Sequence, residues 1–153
     1  MEENLLSAPP NFKLYKDRAV WTATFIGGPL VAGYIAAENF KQLGQQSKAK
    51  SAWTIAIIAT IVIFGGLFLI PNIEEIPRYI IPLIYSGIAQ YLIQKYQGAA
   101  VKEHIEKGGQ TYSIWRAVFI GLIGLVILVA IFFVVILLTN KELSQISLFH
   151  QIP

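Results

Sequence analysis

Residues 19–37, AVWTATFIGGPLVAGYIAA, form an uncharged run of nineteen residues interrupted at its centre by Gly27, Gly28 and Pro29. The run is long enough to cross a bilayer, but its middle opposes an unbroken helix. Inside a helix Gly costs about 1 kcal/mol and Pro about 3 kcal/mol relative to Ala. Two folds satisfy both facts: a span kinked at the proline, or two half-helices that enter and leave on the same side.

The remaining apolar runs frame that choice. Residues 52–70 and 117–138 carry no charge, and at 1.5 Å per residue they cover roughly 28–33 Å, enough to cross the hydrocarbon core. Residues 76–94 reach spanning length if Ile76, Pro77 and Arg78 join the first turn. Neither of the two longest runs has the polar face that a surface helix of a soluble domain requires. The composition agrees, with 55% apolar and 14% charged residues against roughly 25% charged in soluble domains. The expected architecture is one all-α membrane domain covering residues 1–153, with transmembrane helices at 52–70, 76–94 and 117–138.

Charge placement discriminates between the two readings of 19–37. With four spans, the twelve Lys and Arg residues divide five to seven between the faces. If 19–37 is instead a re-entrant helical hairpin, Lys13, Lys16, Arg18, Lys41, Lys48, Lys50, Lys95, Lys102, Lys107 and Arg116 share one face. Only Arg78 and Lys141 are left on the other, the asymmetry that marks a cytoplasmic side. The sequence therefore favours three transmembrane helices plus a Gly-Gly-Pro-broken hairpin, with the kinked four-span fold as the alternative. Half-helices are expected at 16–26 and 30–40, with Pro29 at the first helical position, where its missing N–H is not needed. Residues 41–51 and 95–116 read as cytoplasmic loops, the latter carrying a short helix at 101–107 stopped by Gly108 and Gly109. Gly44 is expected to stop the preceding helix. Asn72 with Glu75 resembles a capping box for the third run, and Ser113 can cap the last. Trp21, Trp53, Tyr79, Tyr96, Tyr112 and Trp115 fall near the expected ends, as interfacial anchors do.

Several chemistries are excluded or weak. There are no cysteines, which removes disulfides, thiolate metal sites and cysteine nucleophiles. The net charge of +3 is explained by Lys and Arg flanking spans, and no basic stripe interleaved with aromatics points to nucleic acid. Glu103, His104 and Glu106 do not converge as three zinc ligands would and read as solvated helix. Glu74 and Glu75 read as capping and solvation rather than a cation site. No catalytic group, metal or cofactor is expected. The polar opening, MEENLLSAPPNFKLYKDR, lacks the basic start and apolar core of a secretory leader.

One polar pattern remains. Ser86, Gln90 and Gln94 recur every four residues on the third run and share a helix face. Buried glutamines need partners, so the set reads either as an interhelical packing seam or as a hydrophilic lining meeting the turn at Gly27, Gly28 and Pro29, where half-helix N–H groups would attract a polar headgroup.

Residues 14–44 also resemble an uncharacterised family of small bacterial integral membrane proteins with an ATFxGGPLxxGY…NFxxLG-type segment. The resemblance rests on Leu14, Tyr15, Ala23, Thr24, Phe25, Gly27, Gly28, Pro29, Leu30, Gly33, Tyr34, Asn39, Phe40, Leu43 and Gly44. It implies a multi-pass protein of the bacterial inner membrane and assigns no site roles. The function expected is that of a non-enzymatic accessory or interaction protein whose partners are the bilayer and a membrane protein or a second copy. The alternative is a small oligomeric channel or carrier constricted at the glycine turn.

Overall fold

The computed structural model describes residues 10–67 and 69–149, apart from the side chains of Glu74 and 141–149. The reading of residues 1–9 and of His150 lies outside them. The described chain is all-helical but for one two-residue parallel pair: β1 (Lys13–Leu14), α1 (Asp17–Gly27), α2 (Pro29–Gln42), α3 (Gln46–Leu67), α4 (Ile80–Glu106), β2 (Gln110–Thr111) and α5 (Ile114–Phe149). Two helices are long and apolar enough to cross a membrane, α3 over its full length and α5 over Ile114–Asn140.

A single residue separates α1 from α2. Gly28 adopts φ 79°, ψ −174°, a region open essentially to glycine alone. Its N–H donates to the Thr24 carbonyl at 2.8 Å and its own carbonyl accepts from Val31 N–H at 3.1 Å. One residue thus closes the first helix and opens the second, with Pro29 at the first position of α2. The chain reverses there. Asn39, near the end of α2, accepts from Tyr15 N–H at 2.8 Å and donates to the Tyr15 carbonyl at 3.0 Å, just before α1 begins.

The other helices sheathe this pair. Along α1, α5 runs parallel: a Cβ on Gly121 would lie 3.3 Å from Ala23 Cα, and Leu128 approaches Gly28. Along α2, α3 runs antiparallel, with Ala49 against Ala37 and Phe40, and Ala56 against Gly33. Small residues at these crossings let the backbones approach closely, the means by which helices associate without a hydrophobic drive between them. On the remaining side lies α4, where Tyr85 O–H donates to the Phe25 carbonyl at 3.3 Å and Gln97 Nε2 to the Ala36 carbonyl at 2.8 Å.

Several expected boundaries are corrected. Only residues 43–45 interrupt the helices in 41–51, because Gln46, Lys48, Ala49 and Lys50 sustain α3 through its polar first turns. Gly44 does stop α2, at φ 73°, in a Schellman motif: Gly44 N–H reaches the Lys41 carbonyl and Gln45 N–H the Phe40 carbonyl. The loop expected over 95–116 shrinks to residues 107–113. Lys95, Lys102 and Lys107 are good helix formers, so α4 continues unbroken to a second Schellman motif at Gly108 and Gly109. At its start α4 does not include Ile76, Pro77 and Arg78. Asn72 is left-handed and makes no side-chain cap, and Glu75 is held through its backbone N–H, so the capping box is not formed. Ser113 does cap α5, accepting from Trp115 N–H at 3.3 Å.

Candidate functional site

The inward face of α4 carries Ser86, Ile93, Gln97, Val101 and His104. Of the three residues singled out from spacing, Ser86 is fully buried, Gln90 is half-buried and Gln94 is exposed. A step of four residues advances about 400° around a helix of 3.6 residues per turn, so the third member has rotated about 80° away from the first. Gln94 therefore leaves the seam and donates to Asp17 Oδ2 at 2.9 Å on the outside. Its place inside is taken by Gln97, which the four-residue count passes over and a three-four alternation from Ser86 through Gln90 and Ile93 reaches.

Gln97 does two things at once. Its Nε2 satisfies the Ala36 carbonyl of α2, while Oε1 is buried without a partner. Ser86 Oγ and, on the facing helix, Thr24 Oγ1 are likewise buried and unpartnered. The turn itself is tightly enclosed: a Cβ at Gly27 would lie 2.9 Å from Gly121 Cα, and one at Gly28 would lie 2.8 Å from Leu128 Cδ1. Ser86 and the turn therefore sit in a packed interior, with Gln90 half-buried at its margin.

Open space lies elsewhere. Both α3 and α4 rest on α2 and leave between them a groove of about 460 Å³. Its floor is Ala32, Gly33 and Ala36; Ile55 and Ala59 line one wall, Ile88, Ala89 and Leu92 the other. Ile55 and Ile88 are more than half exposed, so the groove is open along its length. At one end stand Lys48, Ser51 and Gln97; at the other, Pro29, Ile63 and Tyr85. Lys48 Nζ lies 5.9 Å from the centroid of the Phe40 ring, over that first end.

A second polar assembly ties the chain ends of the helices together. β1 pairs with β2 in register Lys13–Gln110 and Leu14–Thr111, and Tyr112 N–H donates to the Leu14 carbonyl. The Arg116 guanidinium stacks 4.0 Å over Tyr112 and 6.0 Å from the ring centre of Tyr15. Burial pushes the Tyr15 hydroxyl up to about 12, against the opposing pull of Arg116. His104 is not the solvated residue expected from its charged neighbours. It is buried, contacts the Gln110 carbonyl at 2.9 Å and stacks on Phe12. This cluster has no periodic signature, because Tyr15, Tyr112 and Arg116 meet only once the chain has folded.

The chain matches no protein-family model, no curated protein and no solved structure.

Proposed function

We propose that this chain is a non-enzymatic, multi-pass integral membrane protein of the bacterial inner membrane, acting as an accessory or interaction protein. In this reading α3, α4 and α5 are the three spans, and α1–α2 is a hairpin that dips into the bilayer from the cytoplasmic face and returns to it. The observation that carries it is the Asn39–Tyr15 pair. Joining the start of α1 to the end of α2 puts both on one side, which a kinked span cannot do. Membrane residence is supported by the surface of the two apolar helices. Ile61 and Val126 are each 67% exposed, with Val62, Phe119 and Ile123 also at 60% or more, whereas the core helix of a soluble protein would bury such residues. Non-helical backbone at membrane depth is tolerated only under protein cover, and α3, α4 and α5 supply it around Gly28.

An interaction role is favoured over a constricted channel because the glycine turn is filled by Gly121 and Leu128. The described histidine, His104, uses Nε2 on a backbone carbonyl, which accords with a structural role. Single cysteines at Asn11, Gln46 and Glu75, introduced into a chain with no others, test the topology with a membrane-impermeant maleimide in intact cells. Labelling at Glu75 alone is expected. Labelling that separates Asn11 from Gln46 would mean four spans and would sink the hairpin.

A further inference from the structure

We infer that the groove between α3 and α4 holds one acyl chain of an anionic, hydroxyl-bearing glycerophospholipid from the cytoplasmic leaflet, with its phosphate at Lys48. The inference rests on the membrane reading above.

Dimensions select the occupant. Along α3 the groove runs from Lys48 to Ile63, fifteen residues or about 22 Å of helix. One leaflet contributes about half of the ~30 Å hydrocarbon core, so an acyl chain fits end to end. The groove is open on its outer side, where Ile55 and Ile88 are more than half exposed, so an acyl chain can enter it sideways from the leaflet. The walls are aliphatic, and the floor of Ala32, Gly33 and Ala36 offers a flat track.

Polarity fixes the direction. Lys48 occupies the end of the groove nearest the start of α3, beside Lys41 and Lys50 in sequence, on the basic face of the protein. Basic groups at this depth attract anionic headgroups. Gln97 borders the same end with Oε1 buried and unpartnered. An acceptor left this way at a ligand's entrance calls for a donor, which the glycerol hydroxyls of phosphatidylglycerol provide while its phosphate meets Lys48. At the opposite end Pro29, Ile63 and Tyr85 close around the tail.

The test uses full-length protein extracted in mild detergent and examined by native mass spectrometry, then delipidated and titrated with phosphatidylglycerol or phosphatidylcholine of equal chain length. The wild type is expected to retain one phospholipid and to prefer phosphatidylglycerol. Ala89→Phe, and independently Ala59→Phe from the other wall, fill the groove and should lower retention more than tenfold. Val126→Phe, on the outer face of α5, should leave it unchanged. Lys48→Gln should keep the chain bound but reduce the headgroup preference about fivefold, the weight of one basic residue near an anionic surface. Equal retention in the Ala89, Ala59 and Val126 variants overturns the proposal, as does a second protein copy displaced by Ala89→Phe in place of a lipid. Protein that fractionates without detergent would instead sink the membrane reading. Protein that needs detergent yet holds no lipid sinks the acyl-chain proposal alone.

Discussion

Replacing Asn39 by Ala removes both ends of the bond that holds α2 against the entry to α1. The wild-type amide makes two buried hydrogen bonds, at 2.8 and 3.0 Å, to the N–H and carbonyl of Tyr15. Both residues are essentially inaccessible, Asn39 at 0% and Tyr15 at 1% exposure, so water cannot replace the amide without opening the site. Each backbone group left unsatisfied costs about 1–3 kcal/mol, which places Asn39→Ala at about 2–6 kcal/mol. For a protein of this size that corresponds to a fall in Tm of roughly 4–24 °C. The assay is thermal unfolding of detergent-solubilised protein followed by circular dichroism, with Gln42→Ala as the control. Gln42 donates only to the half-buried Glu38 at 3.1 Å, and its loss should stay below about 1 kcal/mol. An Asn39→Ala variant as stable as Gln42→Ala would refute the argument that this amide closes the pair.

Three further predictions follow from the same geometry. Gly28→Ala forces a Cβ into a glycine-only backbone region beside Leu128, and the backbone strain alone should cost about 1–3 kcal/mol, read by the same melting assay and not relieved by Leu128→Ala. Gly33→Ala drives a methyl group into Ala56 at a cost of about 1–3 kcal/mol for overpacking; Ala56→Gly should restore part of it in the double variant, and strict additivity would show the contact to be unimportant. Tyr15 should make stability fall between pH 10 and about 12. Below that window both states keep the phenol proton; within it the unfolded chain ionises first and draws the equilibrium toward itself. After allowance for solvent screening the loss is about 1 kcal/mol, and an unfolding series in Tyr15→Phe should lack that component.

The parts of this fold that are legible in the sequence are those with local causes. Gly28 and Pro29 announce a helix break because their backbone preferences act without neighbours, and Gly44 and Gly108 terminate helices for the same reason. The apolar runs of α3 and α5 are legible from length and composition alone, being long enough to cross a membrane. The extent of α4 is not legible: Lys95 and Lys102 mark where an apolar run ends, not where a helix ends, since a charged side chain removes no backbone hydrogen bond. The polar seam is half legible. A four-residue repeat finds Ser86 and Gln90 and then drifts onto Gln94, while the packed face follows α2 to Gln97. Asn39 reads as a polar residue at a helix end, and only its meeting with Tyr15, twenty-four positions away, reveals what it does. The groove has no sequence signal at all, because it is the space left where α3 and α4 each follow α2 without touching along their length.

The close crossing of α1 with α5 has a consequence for biogenesis. Chains emerge from the ribosome N-terminal end first, so among the described helices α1 is made first and α5 last. Ala19, Ala23 and Gly27 are shaped to receive Ala117, Gly121 and Gly124, which follow the end of α1 by ninety residues or more. The earliest helix is thus the last to be covered. Throughout synthesis its small-residue face must wait uncovered by α5, and any truncation before Ala117 leaves that face without its mate.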